Sequence, residues 1–357
     1  MTKFLKRYKT EEYDIVEFCK GLFKIKKNFL HKKFYLFGLQ IFDKRNSQNE
    51  YYNQKYQIIL SQWHAHGATQ ELAQQLHLMT LSPLIFDKMP DITWVIYIAC
   101  LLGIQKFEQA NKILEKYIYK FGTKNLHRIL PVADFALQNG FSSEKIKQSA
   151  ELWKFFTDKN IINSTKNYFA GKKIAVVGGS GCELGKNKGA EIDSHDIVVR
   201  FGNYPTDEKY FCDYGQKTTL WVRTSSPAVI HKPDISMYDK VFWKEDFGRI
   251  INGEEHLKIM YEYMKNYNEK FFVANSTYYQ TLDENYNIYR PTAGCLILWY
   301  FYNLLGNLEN VDVYGFAFLS GNSNDTKHYF DNVCKISQNH DIKYEIKLLQ
   351  KIYFETH

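Results

Sequence analysis

Four short stretches of this 357-residue chain hold residue types that could do chemistry. The first is Val176-Val177-Gly178-Gly179-Ser180-Gly181, a glycine turn leaving an apolar run. Glycine permits close approach of backbone N–H groups to a phosphate or ribose. The turn is not a dinucleotide fingerprint, because Gly179-x-Gly181 is followed by Leu184 where a third glycine belongs, and it lacks the Gly-Lys-Ser/Thr of a P-loop. The second is Arg290-Pro291-Thr292-Ala293-Gly294, which opens an apolar helical pattern. A hydroxyl and unpaired N–H groups there suit an anion, or simply cap the helix. The third is His328-Tyr329, and the fourth is His340-Asp341-Ile342-Lys343-Tyr344-Glu345. Imidazole titrates near ~6.5, so His340 could take a proton from a hydroxyl at neutral pH. A His-x4-Glu spacing does not put both side chains on one helix face, which places His340 ahead of a helix and Glu345 on its first turns, with Asp341 as N-cap.

The order of these stretches adds information that none has alone. Between the first two lie Glu191-Ile192-Asp193-Ser194-His195-Asp196, Val198-Val199-Arg200 and Asp213-x-Gly215-x-Lys217-Thr218-Thr219. After Gly294 comes Val311-Asp312-Val313-Tyr314-Gly315-Phe316. From Lys172 to Glu345 the series resembles the long, short, His-Tyr and very short motifs of the sialyltransferase family. The resemblance implies a Rossmann-like variant of the glycosyltransferase A fold. It implies inverting transfer of a sialic acid from a CMP-sugar donor to a hydroxyl of a glycan or glycolipid acceptor, with no cofactor and no obligatory metal. It assigns His340 as general base and His328 to the departing phosphate. Gly179, Ser180, Asn203, Thr292, Ala293 and Gly294 would hold the nucleotide. Asp193, Asp196 and Arg200 would hold the core, and Glu345 would support the helix or the His340 loop.

The chain departs from the family pattern at two nucleotide-contacting positions. Gly179 stands where the family has Asn, and Gly202 stands at the Asn of Arg-x-Asn, with Asn203 one residue on. The cysteine pair that ties the long to the short motif in animal members is absent, its positions falling near Gly171 and Tyr302. A related donor such as CMP-Kdo, and a non-catalytic protein that kept the fold, therefore stand beside the sialic acid reading.

The elements that must position these residues fall into two regions. Residues 1–165 read as an all-α N-terminal region, with three- and four-residue spacing through Trp94, Ile98, Leu101, Phe107, Ala110, Ile113, Leu114 and Tyr117. Further helical patterns cover Ala133–Gln138 and Ser143–Phe156, and the polar Asp158–Asn167 reads as a linker. Residues 166–357 read as an α/β catalytic domain with a mostly parallel sheet. Its strands are expected at Ile174–Val177, Ile197–Arg200, Thr219–Val222, Val241–Trp243, Phe271–Val273 and Val311–Tyr314. Helices are expected at Glu254–Tyr267, Gly294–Leu305, Tyr329–Asn339 and Ile342–Phe354.

Charge and composition narrow the setting. Residues 1–45 hold twelve Lys and Arg against five Asp and Glu, and so carry the whole net charge of +7. Aromatic residues interleave with that charge. The segment is compatible with an anionic membrane surface and equally with a solvated basic face. No nucleic-acid motif accompanies it. Scattered cysteines without metal-ligand spacing, and an N-terminus without a signal-peptide core, point to a cytoplasmic protein, peripheral at the inner membrane if the basic segment binds it. A capsule or lipooligosaccharide precursor is the acceptor this setting suggests.

Overall fold

The computed structural model describes residues 47–82, 88–205, 207–224, 235–316, 340 and 342–355, together with the backbone of five strands before residue 46 and of two short strands within 327–335. The first five strands are β1 (Leu5–Lys9), β2 (Asp14–Phe18), β3 (Phe23–Lys27), β4 (His31–Leu36) and β5 (Leu39–Arg45). They pair in sequence order as an antiparallel meander. This corrects the expectation of helix before Ser47. Phe23-Lys24-Ile25-Lys26 alternates with a period of two, the signature of a strand.

From Ser47 the region is helical as expected, through α1 (Ser47–His66), α2 (Gln70–Thr80), α3 (Asp91–Gly103) and α4 (Phe107–Phe121). Helix α3 is buried over nearly its whole circumference and is the centre of this bundle. Helices α5 (Leu130–Gln138), α6 (Glu144–Thr157) and α7 (Lys159–Phe169) follow. Ser143 caps α6 by accepting from the Ile146 N–H at 3.3 Å. Helix α7 occupies the stretch expected as a linker. Its polar residues face solvent, Asp158 caps it, and Thr165 and Phe169 form a buried stripe. The Phe169 ring meets Phe272 and Phe301 edge-on, with centroids 5.6 and 5.0 Å away.

A six-stranded parallel sheet then takes every strand expected of it. Its members are β6 (Ile174–Val177), β7 (Ile197–Phe201), β8 (Leu220–Arg223), β9 (Lys240–Trp243), β10 (Phe271–Phe272) and β11 (Val311–Tyr314). Both faces are covered, so the strands read as continuous apolar runs. Helices α10 (Glu254–Tyr267), α11 (Ser276–Tyr286), α12 (Ala293–Leu305) and α13 (Ile342–Phe354) cross between or follow the strands. Short turns α8 (Gly189–Asp193) and α9 (Phe211–Tyr214) lie between β6 and β8. Alternate residues divide between the faces. Leu220, Val222 and Phe242 pack with α7, α11, α12 and α13; Trp221, Val241 and Trp243 pack with α10, Leu130, Leu152 and Phe156. Among the described residues no helix is long and apolar enough to cross a membrane.

The helix expected at Tyr329–Asn339 is corrected in part. Asp331–Lys335 is a strand, β13, paired antiparallel with β12 (Lys327–His328). Two adjacent apolar residues, Val333 and Cys334, set no period, and strand pairing decides here. Tyr329 and Asp341 lie outside the described residues, as does the side chain of His328.

The sheet order is β10-β9-β8-β7-β6-β11, so the direction of winding reverses between β6 and β11. In open parallel sheets the ligand crevice lies at the carboxyl ends of the strands flanking such a reversal. The glycine turn after β6 and Gly315 after β11 both stand there.

Replacing Phe169, which is fully buried, with Ala should cost about 3 kcal/mol or more. Chemical denaturation of the full chain would read the loss. A change under 1 kcal/mol would mean that α7 is the loose connection its composition suggests.

Candidate active site at the sheet reversal

The crevice begins with two turns pressed together. The Gly178 N–H donates to the Tyr314 carbonyl at 2.7 Å, and the Ser180 N–H donates to the Gly315 carbonyl at 2.9 Å. A Cβ on Gly178 would lie 2.5 Å from the Gly315 carbonyl oxygen, and one on Gly315 would lie 2.6 Å from that of Gly178. Gly315 also has φ +68°, so only glycine meets both demands. A Cβ on Gly294 would lie 2.5 Å from the Phe316 ring, which also closes on Gly178. Phe316 thus joins the first and second motifs, and Gly178, Ser180, Gly294 and Gly315 form one backbone-walled cradle.

Charged residues hold this cradle through the backbone. The Glu183 carboxylate, 9% exposed, accepts from the Gly315 N–H at 3.3 Å. Tyr214 donates its hydroxyl to the Ser180 carbonyl at 2.6 Å. Arg200 donates to the carbonyls of Tyr214 and Lys217 at 2.6 and 3.0 Å. Asp193 accepts from the N–H groups of Gln216 and Lys217 at 2.9 Å, and Asp196 accepts from that of Lys173 at 2.8 Å. Asp193, Asp196 and Arg200 therefore do the structural work expected of them.

At the end of β7, Gly202 has φ +50°, a region that glycine and asparagine tolerate best. Its N–H donates to the Val222 carbonyl, and its own carbonyl accepts from the Trp221 indole at 2.9 Å. Asn203 follows, exposed at the carboxyl edge.

The second and fourth motifs meet through a buried carboxylate. Thr292 caps α12, accepting from the Cys295 N–H at 3.2 Å. Glu345, only 2% exposed, accepts from the Thr292 N–H at 2.9 Å and from the Thr292 hydroxyl at 2.5 Å. Two residues back, the Arg290 carbonyl lies 2.6 Å from Nδ1 of His340. A carbonyl only accepts, so Nδ1 carries the proton and Nε2 is the acceptor nitrogen of the ring. Support of the His340 loop by Glu345, expected from the sequence, thus runs through the 290–292 segment.

Lys244 was not legible as a site residue. It follows β9 at the carboxyl edge, where the charge of Glu345 and the thiol of Cys295 act on its amino group. Burial holds its pKa below the ordinary lysine value, against the opposing pull of Glu245 and Glu345. The one sequence signal is a cation placed directly after a strand of a parallel sheet. Among the described residues no group of three or more His, Cys, Asp or Glu side chains could hold a metal ion.

Residues 123–356 match the model of glycosyltransferase family 29 (sialyltransferase). The chain belongs to that family. It is 28% identical over 210 residues to beta-galactoside alpha-2,6-sialyltransferase 2 of Xenopus tropicalis, covering 50% of this chain and 38% of that enzyme. It is 25% identical over 170 residues to CMP-N-acetylneuraminate-beta-galactosamide-alpha-2,3-sialyltransferase 2 of Mus musculus, covering 45% of this chain and 47% of that one. The chain thus spans under half the length of these sialyltransferases. A crystal structure of a mammalian sialyltransferase in complex with Gal-beta-1-3GalNAc-ortho-nitrophenol aligns with 62% of this chain and 82% of its own, at 20% identity and a TM-score of 0.41. The sialyltransferase match begins at residue 123, so α1 to α4 lie outside it.

Glu345→Ala would leave Thr292 without its buried acceptor and should cost about 3 kcal/mol, with Glu345→Gln costing less. Urea denaturation would read both. Equal stability of the two variants would mean that the carboxylate charge and its paired bonds are not what holds the segment.

Proposed function

We propose that the chain transfers sialic acid from CMP-sialic acid to a hydroxyl of a galactoside-containing glycan, with inversion at the anomeric carbon. Membership of the family supports the donor class, and the names of the curated relatives support the galactoside. The observation that carries the reading is the meeting of His340 with Arg290 and of Glu345 with Thr292. It sets a histidine of defined tautomer beside the capped start of α12, with the glycine cradle at the other end of the same segment.

The chemistry follows from that arrangement. Nε2 of His340 takes the proton as the acceptor oxygen bonds to the anomeric carbon. The bond from that carbon to the phosphate oxygen breaks, and CMP leaves with the electron pair. The backbone N–H groups of Gly179, Ala293 and Gly294, the hydroxyl of Ser180, the hydroxyl oxygen of Thr292 as acceptor and the Asn203 amide are the proposed nucleotide contacts. His328 is the proposed partner of the departing phosphate, and Lys244 adds positive charge on the same side of the sheet. CMP is a stable leaving anion, so the reaction as proposed requires no metal or cofactor. We further propose that the acceptor is a lipid-linked precursor of a surface glycan on the cytoplasmic side of a membrane, a reading supported by the basic segment 1–45.

Calorimetric titration with CMP in EDTA, with NAD as the control, tests the donor assignment. CMP should bind without metal and NAD should not; absence of CMP binding would overturn the reading. His340→Ala should then lower transfer at least about a hundredfold while changing CMP affinity less than about threefold. Wild-type turnover in that variant would remove His340 as the base.

A further inference from the structure

The segment that carries the second motif has two ends, and they touch different parts of the molecule. Gly294 abuts Phe316 and the cradle. Tyr289 and Arg290, at the other end, abut the carboxyl end of α1, which lies outside the family match. His66 pairs with Asp283 at 2.8 Å, and its ring lies 5.7 Å from that of Tyr289. Arg249 makes the tightest junction. It donates to the Ala65 carbonyl at 2.9 Å and to the Tyr289 carbonyl at 3.5 Å, and it pairs with the nearly buried Asp246 at 3.3 Å. Asp246 is fixed in turn by the Ser276 hydroxyl at 2.6 Å. Gly67, at φ +68°, ends α1 where a Cβ would lie 2.9 Å from the Arg249 side chain.

This junction adjoins the candidate base, because the Arg290 carbonyl holds His340. It also presents a guanidinium. Arg290 is exposed, and among the described residues its guanidinium makes no hydrogen bond or ion pair. His64 on α1 is half-buried beside it. Burial, then the charges of Arg290 and Arg249, hold the His64 pKa below its ordinary value. At the junction Asp246 is paired with Arg249, and Asp283 is hydrogen-bonded to His66.

We infer that the carboxyl end of α1 is a built-in wall of the site: Arg249 positions the 289–292 segment from it, and Arg290 selects acceptors that carry an anionic group near the reacting hydroxyl. The acceptor side of this inference rests on the proposed transfer reaction, with His340 as base. The recognised chemistry is a carboxylate or a sulfate or phosphate ester on the glycan. Residues 47–66 then belong to the site and not to a detachable targeting module.

Steady-state transfer by the full chain to a neutral β-galactoside, its sulfate ester and its glucuronate-extended form tests this. The wild type should prefer the anionic acceptors, and Arg290→Gln should reduce the ratio of kcat/KM, anionic over neutral, about tenfold. A fall for one anionic acceptor only identifies the anion; an unchanged ratio for both in Arg290→Gln overturns the selection. Arg249→Met should lower kcat about tenfold while CMP affinity changes less than threefold, with Arg249→Lys intermediate and thermal melts confirming that both are folded. Wild-type kcat in folded Arg249→Met overturns the positioning role. Calorimetric binding of the sulfated galactoside without donor reads the wall independently. Its loss in Arg290→Gln supports the wall even in a chain that fails to bind CMP, whereas retention there overturns it.

Discussion

The contact of Gly178 with Gly315 is the constraint on which the site depends. Two strands adjacent in the sheet, but far apart in sequence, end in turns whose carbonyls lie where each other's Cβ would be. No other residue type permits that approach. Its consequence is a floor made of backbone, locked by its own hydrogen bonds at the point where the sheet reverses. Such a floor cannot rearrange through side-chain rotamers, and so it would meet the proposed nucleotide as a fixed surface.

The charged residues around that floor bond to its backbone. Asp193, Asp196, Asp213 and Glu183 accept from backbone N–H groups, and Arg200 donates to backbone carbonyls. Glu345 does the same for Thr292 across the 53 residues that separate them. Glu183, Arg200 and Glu345 are buried, and burying a charge is costly unless it is hydrogen-bonded; removing a partner costs more than the pair contributes. The arrangement buys rigidity in irregular segments that secondary structure alone would leave loose.

The α/β half was legible in the sequence because its signals are local. Parallel strands buried on both faces announce themselves as apolar runs, and α10 and α13 follow their stripes to the residue. The failures have physical causes. Alternating Lys and Phe before Ser47 carried a strand period that composition obscured, and α7 is polar on all but one narrow stripe. Helix α11, capped by Asn275, has few apolar positions in Ser276–Tyr286 and went unread. In the site, the motif residues were visible by order and spacing. Lys244, Glu183 and Arg249 were not, since each acquires its meaning from a partner that only the fold supplies. Arg249 reaches the Ala65 carbonyl over 184 residues of sequence.

The two glycine departures can be weighed against this geometry. Gly202 occupies a left-handed backbone region that asparagine also enters, so the exchange leaves the chain path intact and removes an amide alone. That path is held by the Trp221 indole and the Val222 carbonyl, neither of which depends on a side chain at 202. Gly179 lies between Gly178 and Ser180, whose N–H groups are already bound to the β11 turn. Neither change loosens the cradle. In the proposed reaction the exchange removes amide side chains from the donor's surroundings and leaves the main chain together with Asn203 at the same edge. Selectivity would then fall to the proposed walls: Lys244 on the sheet side and the end of α1 on the other.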